Sequence, residues 1–240
     1  MLVCGVDEAG RGPAIGPMVV AAVSIESRRL RRLGVRSSMD LTPARRGELY
    51  GEILDASDSH AVAVVQPRTI DSHVRRHALN ALEADRMAGL ISGLMPDVAY
   101  VDACDVDAGR FGRAVATRLS GGCAARIRSH HKADERFAVV SAASIIAKVR
   151  RDRAMSRLHR SHGVGSGYPS DPACVGFLVG HARQNAAPPR FARATWLTVR
   201  RIYGLSAPGP AQRRGRGRTA LGPSSARRQS RRQSSQSRPR

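Results

Sequence analysis

Short apolar runs that alternate with helix-like segments constrain the fold of this chain more than any other feature. The first two runs, Leu2–Val6 and Met18–Ile25, are separated by a glycine- and proline-rich loop, Gly10–Pro17. Both runs predict β-strands, because they are short, rich in valine and bounded by turn residues. Further strands are predicted at His60–Val65, Val98–Val101 and Ala124–Ile127.

The segments between the strands carry helical signals. Pro43 would occupy a first helical turn with Thr42 as its N-cap, which predicts a helix over Thr42–Leu54. Strands that precede and separate helices indicate an α/β fold, and the part of the chain after about Val140 is predicted to be helical. The other helices are predicted at His77–Leu94, Val106–Leu119, Val140–His159, Ala173–Gln184 and near Trp196–Tyr203.

Positive charge is the strongest signal in the composition. The formal net charge is +21; residues 206–240 contribute +10 through ten arginines and no acid, and residues 1–205 contribute the remaining +11. A protein that is basic throughout is expected to bind a polyanion such as DNA or RNA. The sequence therefore predicts a nucleic acid as the partner.

The last 35 residues differ in composition from the rest. Residues 206–240 are rich in Arg, Ser, Gln, Gly and Pro and have almost no large apolar side chain, which predicts a disordered tail. The predicted domains are therefore a folded unit over residues 1–205 and this tail. The tail is either a non-specific tether for nucleic acid or dispensable.

The sequence does not predict export, a membrane span or a zinc site. No apolar run is long enough to cross a bilayer, and the first residues lack the features of a signal peptide, so the expected location is the cytoplasm. The four cysteines form no zinc-type spacing and are expected to be buried, reduced thiols.

Carboxylates fall at positions where α/β proteins place their sites. Asp7 and Glu8 follow the first apolar strand, Asp102 ends another, and Asp134 precedes a further apolar run. Sites in open α/β sheets gather at strand ends, so these four side chains could converge. A cluster of like charges needs counter-charge, which a hard divalent cation such as Mg²⁺ supplies. Two ions about 4 Å apart could clamp a phosphodiester.

Spacing alone leaves other interpretations open. Asp105 and Asp107 lie close to Asp102 and compete with it for the same role. A carboxylate at a strand end can also be a helix cap or a surface residue. The metal site is therefore one of several interpretations at this point.

Four segments resemble ribonuclease HII, in the order that the family has them. Gly5–Pro17, which reads GVDEAGRGPAIGP, resembles its opening motif, and Tyr100–Ala103 resembles its central aspartate strand. His131–Asp134, followed by Val140–Arg153, is similar to its last catalytic aspartate and the following helix. Gly165–Pro172 resembles its tyrosine loop in the archaeal form. The resemblance covers residues 1 to about 205.

The resemblance implies a fold and an activity. The fold would be a ribonuclease H-like mixed sheet flanked by helices, with a helical C-terminal part. The activity would be endonucleolytic hydrolysis on the 5′ side of a ribonucleotide, in RNA–DNA hybrids or within duplex DNA, leaving a 3′-hydroxyl and a 5′-phosphate. Two Mg²⁺ or Mn²⁺ ions would serve as cofactors, held by Asp7, Glu8, Asp102 and Asp134.

The resemblance also implies substrate contacts. Gly10, Arg11 and Gly12 would read the ribose, since glycines let backbone groups approach closely and the 2′-hydroxyl distinguishes RNA from DNA. Tyr168 would stack on the deoxyribose that follows, and Lys132 and Lys148, the two lysines of the chain, would touch phosphate. Without the resemblance, the loop is interpreted as a tight turn, the tyrosine as a loop filler and the lysines as solvated.

One segment departs from the family pattern. An Asp-Ser-Lys element usually stands here, but Ser37 and Met39 replace its acid and its lysine, while Ser38 is retained. Phosphate contacts from this loop are therefore expected to be weakened, and activity to depend more on salt and metal. The tail has no aromatic residue, so no sliding-clamp motif with paired aromatics is expected there, and the protein is expected to be a monomer.

Three rival functions remain open from the sequence. One is a nuclease of the same fold without ribonucleotide preference. Another is a non-catalytic, basic nucleic-acid-binding protein with a structural acidic cluster. The last is an assembly module tethered by its arginine-rich tail.

Overall fold

A mixed five-stranded sheet forms the centre of the protein. The computed structural model describes residues 1–32 and 41–207, so the altered loop at Ser37–Met39 and residues 208–240 of the predicted tail lie outside the described residues. The strand order is β3-β2-β1-β4-β5, with β1 antiparallel to β2 and parallel to β4. The strands are β1 (Val3–Ala9), β2 (Met18–Ile25), β3 (Ser59–Val65), β4 (Val98–Asp102) and β5 (Arg126–His130).

Helices cover both faces of this sheet, which confirms the predicted α/β class. Thr42 caps α2 as predicted, because its side chain accepts a hydrogen bond from the Arg45 backbone N–H at 3.2 Å. The described helices are α1 (Ser27–Arg32), α2 (Pro43–Ala56), α3 (Pro67–Val74), α4 (Leu79–Leu94), α5 (Ala108–Ala116), α6 (Ala133–Arg136), α7 (Ala138–His162), α8 (Pro172–Ala182) and α9 (Leu197–Tyr203).

The two faces of the sheet carry separate apolar clusters. On one face, Ala142 and Ile146 of α7 pack with Ala21 and Val23 of β2. On the other face, helices α3, α4 and α5 pack against the alternate strand residues, with Met87 of α4 among the fully buried members of that cluster. The central strand β1 is therefore covered on both sides, and a polar side chain on it is shielded from bulk water.

Close contact between β1 and α7 depends on Gly5. A Cβ atom at this position would lie 2.1 Å from the carbonyl oxygen of Val139. The first turn of α7 therefore rests directly on the backbone of β1. This contact brings the start of α7 next to Asp7.

The C-terminal helices pack around the start of the chain as well as around each other. Ile15 lies in a third buried cluster with Val164 after α7, Leu178 of α8 and Val199 of α9. Ile15 also forms an isolated antiparallel bridge with Ala192. The predicted helical C-terminal part is thus tied to the loop between β1 and β2.

Strand ends and three short helices differ from the predictions. β1 continues through Asp7 and Glu8, because its pairing with β2 extends to Ala9 opposite Val19. The two acids therefore lie within the strand and do not follow it. The short helices α1, α3 and α6 are not predicted from the sequence, since each spans too few residues for a clear periodicity. β5 begins later than predicted because it is a polar edge strand, which gives a weak apolar signal.

The cysteine and membrane predictions can be compared with the described residues. All four cysteines are free; Cys4 and Cys174 are buried as predicted, whereas Cys104 and Cys123 are only partly buried. Within residues 1–32 and 41–207, no helix has the length and apolar character needed to cross a bilayer.

Candidate active site

Asp7 and Glu8 face opposite sides of the central strand. Successive side chains of a strand point to opposite faces, and Asp7, which is 5% exposed, makes a hydrogen bond with Ser144 of α7. Glu8 interacts electrostatically with Glu83 of α4 and with Arg11. The Glu8 backbone N–H donates to Asp7 Oδ1 at 2.7 Å. The two carboxylates therefore lie on opposite faces of the sheet, near the end of β1.

Asp102 reaches the same end of the sheet from the neighbouring strand. It is the last residue of β4, which runs parallel to β1. Its Oδ1 accepts a hydrogen bond from the Ala133 backbone N–H at 2.7 Å, and Asp134 follows at once in α6. The charges of Asp102 and Asp134 both act on Asp7. Carboxylates from β1, β4 and α6 thus meet in one cluster.

Burial and mutual repulsion disfavour the ionised forms of Asp7, Glu8 and Asp102. Burial, with the nearby charge of Asp102, raises the pKa of Asp7 to about 7. Burial and the charge of Asp7 raise the pKa of Glu8 well above its usual range, and burial also raises the pKa of Asp102. A bound cation would favour the ionised form of every member of this cluster.

The cluster has the donor chemistry of a divalent-metal site. Glu8 Oε2 is buried and has no hydrogen-bond partner among the described residues. An all-carboxylate donor set suits a hard cation such as Mg²⁺ or Mn²⁺. In the part of the chain that the structure describes, no three His, Cys, Asp or Glu side chains form a ready-made cage. Asp7 and Asp102 each accept a backbone N–H group at Oδ1, which holds one oxygen of each carboxylate in place.

Asp105 and Asp107, which spacing alone does not distinguish from Asp102, bind other groups. Asp105 forms an ion pair with Arg110 and accepts a hydrogen bond from Asn80 at 3.0 Å. Asp107 caps α5 by accepting from the Arg110 backbone N–H at 2.9 Å. These hydrogen bonds lower the pKa of both side chains. Both acids therefore stabilise the start of α5.

The glycine loop, Gly10–Pro17, lies between β1 and β2 and beside Tyr168. Gly10 and Gly16 have φ of +86° and +93°, which glycine adopts without strain. A Cβ on Gly12 would be 3.7 Å from Cε1 of the Tyr168 ring, which is 40% exposed. The Gly167 carbonyl accepts from the backbone N–H groups of Ala14 and Ile15 at 2.8 and 3.1 Å. The tyrosine and the glycine loop therefore form one surface.

The Arg11 side chain binds groups of the protein itself, and the expected role of its loop in reading the ribose stays a prediction. Its guanidinium turns inward, where Nη1 donates to Glu83 at 2.6 Å and Nη2 donates to Asn80 at 2.8 Å. Nη1 also lies 3.2 Å from the Cys104 carbonyl oxygen. Glu83 is fully buried. The Arg11 side chain therefore anchors the glycine loop to α4.

The two lysines lie near the acidic cluster on different elements. Lys132 precedes Ala133 with φ +52°, and its highly exposed ammonium is 3.1 Å from Glu135. Lys148 lies in α7 four residues after Ser144, and residues four apart share one helix face. That face carries the partner of Asp7, so Lys148 lies on the side of α7 that meets the acidic cluster.

Several residues that build this site gave no clear sequence signal. Arg151 is 8% exposed; its Nη2 donates to the Ser166 carbonyl at 2.7 Å, and its guanidinium carbon is 5.0 Å from the Tyr168 ring centre. Arg193 is fully buried beneath the glycine loop. In a chain with so many arginines, a buried one does not stand out. The acid Glu83 within the apolar stripe of α4 was the one usable signal.

Comparison with known proteins points to a single family. A family model described as Ribonuclease HII matches residues 4–199. A ribonuclease HII of Cenarchaeum symbiosum is 51% identical over 205 residues, which are 84% of this chain and 98% of that protein. The crystal structure of the ribonuclease H2 from Pyrococcus horikoshii OT3 is similar with a TM-score of 0.78 and 41% identity, covering 85% of this chain and 98% of that one.

A further solved structure contains a second protein. The PCNA:RNase HII complex from Archaeoglobus fulgidus is similar with a TM-score of 0.74 and 37% identity, covering 82% of this chain and 95% of that chain. The matches thus cover nearly the whole length of these relatives. The unmatched residues of this chain lie mainly after residue 199.

Proposed function

We propose, from the premise that this chain belongs to the ribonuclease HII family, that it hydrolyses the phosphodiester bond on the 5′ side of a ribonucleotide. Membership of the family makes the protein an endonuclease of the ribonuclease H type. The proposed substrates are RNA–DNA hybrids and duplex DNA with an embedded ribonucleotide. The proposed products carry a 3′-hydroxyl and a 5′-phosphate.

The observation that carries this proposal is the buried carboxylate cluster at the end of the sheet. Asp7, Asp102 and Asp134 interact electrostatically, and Glu8 keeps an unpartnered buried oxygen among the described residues. We propose that the side chains of all four acids bind two divalent ions, Mg²⁺ or Mn²⁺. Bound there, such ions would lower the pKa of the attacking water and stabilise charge on the leaving oxygen.

The protein's own groups orient the acids and the substrate. The Ser144 hydroxyl holds Asp7, and the Ala133 N–H holds Asp102, so both carboxylates are directed before substrate arrives. Lys132 and Lys148 are proposed to contact phosphates beside the scissile bond. The excess positive charge of the chain would attract the rest of the duplex.

Selection of the ribonucleotide is assigned to the glycine loop and Tyr168. The half-exposed tyrosine ring lies against Gly12, where the loop has no side chain. A backbone surface of this kind can approach a 2′-hydroxyl closely, and the ring would stack on the next sugar. Because the Arg11 side chain is bound to Glu83, its proposed part in reading the substrate is limited to its backbone.

Cleavage of a defined duplex tests the proposed function. The protein is incubated with a DNA duplex that contains one ribonucleotide, with Mg²⁺ or Mn²⁺, and the cut is mapped by end-labelling. We expect one cut on the 5′ side of the ribonucleotide and none in the all-DNA duplex. Equal cleavage of both duplexes would contradict ribonucleotide selection. Binding without cleavage in either ion would favour a non-catalytic binding protein.

The tail makes a separate prediction about salt. Residues 206–240 hold ten arginines and no acid. If these arginines bind phosphates, truncation after Leu205 is expected to make the binding constant K depend less on salt. The slope of log K against the logarithm of the salt concentration should flatten by about 0.9 for each phosphate that the tail had neutralised. The slope is measured by anisotropy with a labelled all-DNA duplex. An unchanged slope would show that the tail is dispensable for binding.

Binding to a clamp protein through the tail is not part of the proposal. The related protein from Archaeoglobus fulgidus was solved in a complex with PCNA. In this chain residues 206–240 contain no aromatic residue, so a motif of paired aromatics is absent from that sequence. We predict that truncation after Leu205 leaves any such binding unchanged.

A further inference from the structure

Arg193 lies under the glycine loop and binds both of its ends. The side chain is fully buried, and each of its three nitrogens donates to a backbone carbonyl of the loop. Nε donates to Gly16 at 3.1 Å, Nη1 to Arg11 at 2.7 Å, and Nη2 to Gly10 at 2.6 Å and Gly16 at 3.0 Å. Because a guanidinium is a rigid planar fork, it fixes these carbonyls relative to one another.

Trp196 binds the middle of the same loop. Its indole Nε1 donates to the Gly12 carbonyl at 2.8 Å, and the Arg193 guanidinium carbon lies 4.8 Å from its ring centre. Arg193 and Trp196, which we call the clamp, together bind the carbonyls of four loop residues. The Gly10-Arg11-Gly12 segment is thus held from one side along its whole length.

Burying the charge of Arg193 is unfavourable, so a specific interaction must explain why an arginine occupies this position. No carboxylate lies within salt-bridge distance of it among the described residues. Burial, with the nearby guanidinium of Arg151, lowers the pKa of Arg193 to about 10, which still leaves it charged at neutral pH. An apolar side chain would fill the space at lower cost. The loop carbonyls are the groups that require an arginine here.

A buried carboxylate fixes the base of the clamp. Asp71 of α3, which is 5% exposed, accepts the backbone N–H groups of Ala194 at 2.8 Å and Thr195 at 3.0 Å. It also accepts from the Thr195 hydroxyl. The residues between Arg193 and Trp196 are therefore tied to the helical layer, so the clamp is a rigid support.

The direction of the carbonyls decides which loop groups can meet a substrate. In a trans peptide the C=O and the following N–H point in opposite directions. The carbonyls of Gly10 and Arg11 point into the clamp, so the N–H groups of Arg11 and Gly12 point away from it. A Cβ on Gly12 would meet only the Tyr168 ring, which places these donors on the proposed substrate surface.

We propose that Arg193 and Trp196 are positioning residues for ribonucleotide selection, holding the Arg11 and Gly12 N–H groups where they donate to a ribose 2′-hydroxyl. This inference rests on the proposed function of the same site. In this proposal the backbone N–H groups of the loop select the ribonucleotide. Two residues near the other end of the folded chain orient those N–H groups.

The single tryptophan provides a direct spectroscopic test. Trp196 is the one tryptophan of the chain, and its N–H is bonded to the loop. In an Asp7→Asn background, which prevents turnover, the emission of Trp196 is measured during titration with a duplex that contains one ribonucleotide. We expect an emission change that the all-DNA duplex does not produce. The same change with both duplexes, or none with either, would overturn the proposal.

Variants of the clamp test its part in selection. Arg193→Lys, whose single nitrogen cannot reach all three carbonyls, is expected to lower kcat on the order of 10²-fold. In the Asp7→Asn background it should also bring the dissociation constants for ribonucleotide-containing and all-DNA duplexes closer together, with the all-DNA value unchanged. Arg200→Lys is the matched control, because Arg200 donates to Ser206 away from the loop, and it should alter neither quantity.

A milder variant keeps the test decisive if Arg193→Lys fails to fold. Trp196→Phe removes the hydrogen bond to Gly12 but retains a ring beside Arg193, so we expect a smaller shift of the same kind with a nearly unchanged melting temperature. A lower melting temperature with unaltered duplex preference in both variants would show a purely structural role and overturn the proposal. Failure of the proposed function would look different from failure of this proposal alone, because the wild-type protein itself would make no ribonucleotide-directed cut. The proposal about the clamp would then fail as well.

Discussion

Asp7→Asn is expected to abolish cleavage of the ribonucleotide-containing duplex while leaving duplex binding largely intact. Asp7 lies at the centre of the acidic cluster and interacts with Asp102 and Asp134. Asparagine has nearly the same shape and keeps a polar oxygen for Ser144, but it lacks the charge that a divalent ion needs. The expected loss in kcat is on the order of 10³-fold or more, measured by single-turnover cleavage.

A second readout separates loss of chemistry from loss of folding. Burial raises the pKa of Asp7 to about 7, so its ionised form opposes folding above the ordinary aspartate pKa of about 3.9. Without added metal, Asp7→Asn should therefore raise the melting temperature at neutral and higher pH and change it less in acid. A variant that is inactive because it is unfolded would show the opposite.

Asp105→Asn is the matched control for the metal assignment. Asp105 is close in sequence to Asp102 and competes with it on spacing, yet it pairs with Arg110. An ion pair with an exposed arginine contributes little, so this variant should cleave at nearly the wild-type rate. Activity that survives in Asp7→Asn, or is lost in Asp105→Asn, would show that the metal ligands are assigned wrongly.

Gly5→Ala is expected to have the largest effect on stability of any single methyl addition in β1. The new Cβ would lie 2.1 Å from the Val139 carbonyl oxygen and 2.6 Å from the Val140 nitrogen. Both are backbone atoms, so the first turn of α7 would have to move away from the strand. We expect a loss of more than about 4 kcal/mol in the free energy of unfolding, measured by urea denaturation.

Gly89→Ala is the matched control for this substitution. Gly89 lies within α4, is exposed, and has no atom within 4 Å of the position of an added Cβ. Alanine is there expected to stabilise the protein by about 0.5–1 kcal/mol, because it restricts the unfolded chain. A small effect of Gly5→Ala would mean that α7 does not rest on β1, and the placement of Ser144 beside Asp7 would then lose its support.

Much of the fold could be predicted because its signals are local. The valine-rich run of β2, the Thr42–Pro43 start of α2 and the long α7 each depend on residues close in sequence. The predicted boundaries were wrong where pairing decides the length of an element. β1 includes Asp7 and Glu8 because β2 continues to pair with it, which no property of the acids themselves indicates.

The candidate site divides in the same way. The four carboxylates are proposed from the family motif, since spacing alone leaves Asp105 and Asp107 open, and the structure brings the three segments that carry them together. The inward turn of Arg11 toward Glu83 and Asn80 could not be predicted, since these partners lie 72 and 69 positions away in the sequence. The altered loop at Ser37–Met39 stays a prediction, because it lies outside the described residues.

The sequence by itself determined the class of fold, the basic character of the protein and, through the family motif, which acids are proposed as metal ligands, because apolar periodicity, charge and short motifs are all properties of nearby residues. Only the tertiary structure decided how those acids are held and what supports the glycine loop. Arg193 binds Gly10 across 183 positions of sequence, and Asp71 binds Thr195 across 124. Contacts at such separation arise from the packing of whole elements, so the composition of either segment does not reveal them.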